Sequence, residues 1–94
     1  MKTERILKGA ALVVILVLLV GCAAQKAYRK AERDSERENW DSAVLGFSKA
    51  VALDPGNERY NMALRQAKLR AAAEHFAKGR RYADSQQLKL AIAE

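Results

Sequence analysis

At 94 residues the chain holds at most one ordinary domain, and any targeting segment reduces what is left to fold. One cysteine excludes an internal disulfide, and one histidine is too little for a histidine-built metal centre. The formal charge of +6 falls to about +4 once residues 1–21 are set aside (14 Lys and Arg against 10 Asp and Glu), a surplus that suits anionic lipid surfaces and argues only weakly for nucleic acid.

The first element is directed at a membrane. Residues 1–8, "MKTERILK", carry Lys2, Arg5 and Lys8 against Glu4, and residues 10–20, "AALVVILVLLV", are eleven consecutive apolar side chains. Gly21 and Cys22 follow. A basic stretch, an apolar stretch and a small-residue border are the layout of a secretory signal peptide. A transmembrane helix needs roughly 20 apolar residues to cross the hydrocarbon core, more than this run supplies unless polar neighbours are drawn inward. Cleavage after residue 21 would leave 73 residues. The alternative is an uncleaved N-terminal anchor, and in either case the chain engages a membrane.

Leu19, Val20, Gly21 and Cys22 resemble the lipobox of bacterial lipoproteins: an aliphatic residue, a small or aliphatic one, Gly or Ala, then Cys. The resemblance implies that the Cys22 sulfur is alkylated with diacylglycerol and that a signal peptidase cuts after Gly21. It also implies that the new amino group is acylated with a fatty acid such as palmitate. Each buried methylene contributes about 0.8 kcal/mol, so two or three chains make a durable tether. In that family an Asp directly after the cysteine retains the lipoprotein at the inner membrane. Ala23 and Ala24 stand here instead, which points to the outer membrane and its periplasmic face. Residues 22–25 are read as the lipidated N-terminus and a short tether.

The remainder is expected to be all-α. In residues 26–38, "KAYRKAERDSERE", Ala27, Tyr28 and Ala31 form a narrow apolar face amid mixed charge. Trp40, Ala43, Val44, Phe47, Ala50 and Val51 recur at i, i+3, i+4, i+7, i+10 and i+11, one helical stripe. "LDPGN" ends it, because the residue before a proline leaves the helical region and Pro-Gly turns the chain. Asn57 is the expected N-cap of a long helix over residues 58–85, with a final helix starting near Gln86.

The spacing of small and aromatic residues resembles the tetratricopeptide repeat. Ala43, Phe47, Ala50 and Pro55 match the second half of its pattern, Ala31 takes the small-residue site of a first helix, and Trp40 opens the second. Residues 24–57 thus fill one 34-residue unit. Gly79, Tyr82 and Ala91 match the start of a second unit near residue 72, with 58–71 as an extension of its first helix. Lys30 and Asp34 depart from the pattern, standing at sites usually apolar or aromatic. The resemblance implies helical hairpins of an incomplete α-solenoid, covering most of residues 24–94. Roughly three repeats are needed to bury a continuous core, so a partner or a continuation of the chain is expected to complete it.

No catalytic constellation, cofactor motif or metal-ligand set is read. His75 is a helix-surface or packing residue, and the serines have no local nucleophile signature. The run "ERDSERE" interleaves Glu32, Glu36 and Glu38 with Arg33 and Arg37, as a solvated helix face does. Lys78, Arg80 and Arg81 read as an exposed face. The expectation is a lipid-anchored protein-interaction scaffold, not an enzyme, that takes a peptide or partner helix between stacked helix pairs and binds no nucleic acid. A lipobox followed by such a repeat, with "AVALDPGN" and then "LAIAE", is similar to the N-terminal region of some secretins of type II secretion or type IV pilus systems. That similarity implies an oligomeric channel assembly as the setting. The alternatives are a stand-alone pilotin-like or outer-membrane assembly lipoprotein, and the anchored front of an envelope enzyme.

Overall fold

A computed structural model describes residues 2–93, which form three α-helices: α1 (Lys2–Glu36), α2 (Trp40–Leu53) and α3 (Glu58–Ala93). Among the described residues there is no strand, and the chain is all-α. Met1 and Glu94, the outer ends of the segments read as 1–21 and 58–94, lie outside them.

Each break between helices has a local cause. α1 closes in a Schellman turn, in which the Glu38 N–H donates to the Ser35 carbonyl at 3.0 Å and the Asn39 N–H to the Asp34 carbonyl at 2.9 Å. That turn needs one left-handed residue, and Glu38 takes the position at φ 59°. A residue with a Cβ carries roughly 1–2 kcal/mol of steric cost there. α2 stops short of Pro55, with the Asp54 N–H still donating to Ala50 at 2.9 Å. The Asn57 side-chain oxygen then accepts the Tyr60 N–H at 3.3 Å and caps α3.

One helix runs on across a change of composition, and one expected boundary is absent. The apolar run and the charged segment 26–38 belong to one helix as far as Glu36, because Gly21-Cys22-Ala23-Ala24 holds nothing that stops a helix. No separate helix starts near Gln86 either. α3 runs through Gly79 and Ser85 unbroken, since neither residue removes a backbone donor and an interior glycine costs only about 1 kcal/mol.

α2 packs between α1 and α3 and runs antiparallel to both. It approaches α1 tightly at Gly46, where an added Cβ would lie 2.7 Å from the Ala31 Cβ. The core consists of Ala24, Tyr28 and Ala31 from α1, Ala43, Phe47 and Ala50 from α2, and Tyr60, Ala67 and Ala71 from α3. Alanine dominates, so close backbone approach replaces side-chain volume. The three aromatic rings supply what volume there is, with Tyr28 5.4 Å from Phe47 and 4.8 Å from Tyr60 between ring centroids.

The long helices overhang at opposite ends, giving a rod of 89 × 20 × 17 Å. On α1 the overhang is the apolar run, and on α3 it is the stretch beyond Ala71. Gly79, Tyr82 and Ala91 lie on the α3 overhang, all exposed. They therefore do not carry the packing read for them. Tyr60, Ala63, Leu64 and Ala67 follow directly on the short turn, and that turn lays them on α2 before the chain reaches Gly79.

Gly46→Val is expected to destabilise the full chain in detergent by about 1–3 kcal/mol, the usual cost of overpacking. Gly79→Ala, where an added Cβ meets nothing within 4 Å, is expected to gain up to about 1 kcal/mol of helix propensity. Thermal melts followed by far-UV circular dichroism check both, and shifts of the same sign and size would contradict this packing.

Candidate functional site

The end of the molecule around Cys22 brings together an apolar surface, a thiol and a cluster of cations. The apolar run is wholly exposed. An 18-residue window of α1 has a mean hydropathy of 2.7 with none of it buried, and from Leu12 to Val20 exposure lies between 64 % at Val17 and 43 % at Val20. A contiguous apolar surface of this extent marks contact with a membrane or another protein. By length and composition α1 passes the test for a membrane span, which a signal sequence passes equally.

Leu19, Val20, Gly21 and Cys22 occupy one exposed turn of that helix. Cys22 is a free, exposed thiol two residues before Ala24, the first buried side chain. The α2–α3 turn lies alongside, and Leu53 and Asp54 line a shallow depression with Leu16, Val17 and Val20. Whatever holds the apolar run therefore also faces this turn.

Between α1 and α2 runs an open groove of about 640 Å³. Gly46 is part of its lining, and Lys26, Lys30, Arg33 and Lys49 set its charge against Asp34. On the other side of α1, the Arg59 Nε donates to the Tyr28 hydroxyl at 3.2 Å, with the guanidinium 5.1 Å from the ring centroid. Burial pushes the Tyr28 phenol above its ordinary range; Glu32 adds to the shift and Arg59 opposes it.

The far end carries polar links between α2 and α3. His75 Nε2 sits 2.8 Å from an Asp41 carboxylate oxygen at the surface, and Arg70 lies 5.8 Å from the Trp40 ring. Lys78 pairs with Glu74 at 3.0 Å along α3. Among the described residues, no group of three or more His, Cys, Asp and Glu is placed to hold a metal ion.

Of the residues singled out in the sequence, Ala31, Ala43, Phe47 and Ala50 meet in the core. Trp40 is half-buried against it, and Pro55 forms the turn. Sequence reasoning missed Tyr60 and Gly46. A glycine inside an otherwise good helix was the available signal for Gly46, since it marks close packing. Tyr60 had none, because its partner Tyr28 lies across the fold. Comparison with protein-family models, curated proteins and solved structures finds no match to this chain.

Because the folded state holds the Tyr28 proton more tightly than the unfolded chain does, the associated stability is full below the ordinary tyrosine range and lost above it. Melts from about pH 8 to about pH 11 are expected to show a steeper fall for wild type than for Tyr28→Phe once pH exceeds about 10. Parallel curves would contradict this placement of the phenol.

Proposed function

We propose that the chain is a lipoprotein of the bacterial cell envelope, tethered through Cys22, whose helices form a protein-interaction scaffold. One observation carries the reading: a wholly exposed apolar run ends at an exposed cysteine, and the first buried side chain of the packed unit stands two residues later. The lipobox resemblance of Leu19 to Cys22 supplies the chemistry. The Cys22 thiol gives up its proton and displaces the phosphate-linked headgroup of a membrane phosphoglyceride, leaving a thioether to diacylglycerol, and hydrolysis of the Gly21–Cys22 peptide bond frees an amino group for acylation. Cleavage needs the helix to open locally, and Gly21, about 1 kcal/mol poorer than Ala as a helix former, makes that opening easier.

The packed unit supports a tetratricopeptide-like reading. Residues 24–36 and α2 form an antiparallel hairpin that closes on Ala31, Ala43 and Gly46, and the first half of α3 packs on α2 as the next helix of a solenoid would. In this reading 58–71 is itself that next helix. The overhang of α3 offers Phe76, Leu88 and Leu90, all exposed, to a peptide or partner helix. On its similarity to secretin N-terminal regions, we assign the scaffold to an outer-membrane secretion or pilus assembly facing the periplasm.

Cys22→Ala in a diderm bacterium is expected to abolish incorporation of labelled palmitate and leave the precursor uncut. A photo-crosslinking residue at position 76 is expected to give a discrete protein adduct in wild-type envelopes and to lose it in Cys22→Ala. Normal processing of the variant would contradict the anchor, and an adduct unaffected by the loss of Cys22 would contradict a scaffold that works at the membrane.

A further inference from the structure

The face of α1 that bears Cys22 is also its most cationic face. Cys22, Lys26, Arg29 and Arg33 stand at i, i+4, i+7 and i+11, a single stripe on a helix of 3.6 residues per turn, and with Gln25 they line one shallow depression. Ala24, Tyr28 and Ala31, the buried residues of the same helix, are offset from this stripe by about half a turn. The packed helices therefore lie behind α1, and the stripe faces outward with none of the described residues in front of it. Lys30 and Lys49 extend the charge sideways along the groove edge.

Among the described residues no ion pair neutralises these cations. Among the described residues the ion pairs are His75–Asp41 and Lys78–Glu74, neither of which involves α1, and no carboxylate comes within 4.0 Å of a stripe cation. Of the acids near the stripe, Glu32 acts on Tyr28, Asp34 lines the groove with Lys26 and Arg33, and Glu36 closes the stripe at i+14 from Cys22 as the last residue of the helix, and none of them pairs with a stripe cation.

We propose that this stripe is a docking surface for anionic phospholipid headgroups, on which residues 23–36 lie flat along the membrane. The inference rests on the anchoring role of Cys22. Charge complementarity supplies the choice of occupant, and the position of the thiol supplies the geometry. A lipid on the Cys22 sulfur leaves from the same face as Lys26, Arg29 and Arg33, so acyl chains entering the bilayer bring those side chains to the phosphate plane together. An acyl anchor plus a basic patch is the two-signal arrangement that makes membrane attachment stable. A straight α1 crossing the bilayer would instead carry Arg33 away from the surface, at about 1.5 Å per residue. The flat pose therefore belongs to the chain freed of residues 1–21 or bent at Gly21. Once flat, the α3 overhang runs along the membrane, within reach of partners embedded in it.

The test uses the full chain expressed in a diderm bacterium, purified in detergent and reconstituted into vesicles. One set is phosphatidylcholine alone, and the other contains about one-third phosphatidylglycerol, in the manner of an anionic leaflet. Acetylation by an amine-reactive reagent is followed by mass spectrometry at Lys26, Lys30 and Lys49, with exposed Lys68 and Lys89 on α3 as internal references. The expected result is acetylation of Lys26 and Lys30 slowed at least about threefold in the anionic vesicles, reversed at about 0.5 M salt, with both references unchanged. Equal rates in both vesicle types, with the protein floating with each, overturn the docking surface and leave the anchor standing. Protein that fails to float with either overturns both. Protection by a DNA duplex or polyglutamate but not by phosphatidylglycerol assigns the stripe to another polyanion and overturns the proposal.

Discussion

The rotational phase of α1 is the constraint on which the rest of the molecule depends. Ala24, Tyr28 and Ala31 turn inward, and that choice dictates what every other residue of the helix faces. It sets Ala31 against Gly46, where α1 and α2 leave no room for another Cβ. It also brings the Tyr28 ring to Phe47 and Tyr60, so that one side chain of α1 touches both other helices. By the same rotation Cys22, Lys26, Arg29 and Arg33 are held on the opposite side. An exposed thiol and a row of cations thus share a face because the core occupies the other.

The core that fixes this phase is thin. Most of its buried residues are alanines, which lose almost no side-chain entropy on burial but return little apolar area. What they allow is proximity, and proximity lets the few aromatic rings bridge the helices. Phe47 is the most completely buried large side chain at 4 % exposure, so the unit depends heavily on one ring cluster. A chain of this size is marginal by surface-to-volume scaling. Attachment to a membrane and to a protein partner would each add stability by binding the folded state.

Much of this was legible in the sequence, for reasons that are local. The stripe from Trp40 to Val51, the Pro55-Gly56 turn and the Asn57 cap are decided by residues within a few positions of one another. The end of α1 was not, because its Schellman turn uses Glu38 where glycine is the usual signal. The continuity of α1 across residues 21–25 was hidden by a change of composition that has no consequence for the backbone. The α3 packing was misplaced because small-residue spacing is degenerate: Gly79, Tyr82 and Ala91 fit a repeat pattern as well as Tyr60 and Ala67 fit the real interface. The cationic stripe could be counted in the sequence, but its meaning required knowing which side of α1 the core had taken.

The anchored scaffold proposed above would join these observations, with α1 supplying the attachment and α2 and α3 the body that is held in place. Its central element is the fate of Cys22, and the intact mass of the protein extracted from the envelope of an expressing diderm bacterium reads that fate directly. The expected species is the 73-residue polypeptide beginning at Cys22, heavier by one diacylglycerol and one further acyl chain. A chain still carrying residues 1–21, or one cut elsewhere with the thiol unmodified, would contradict it.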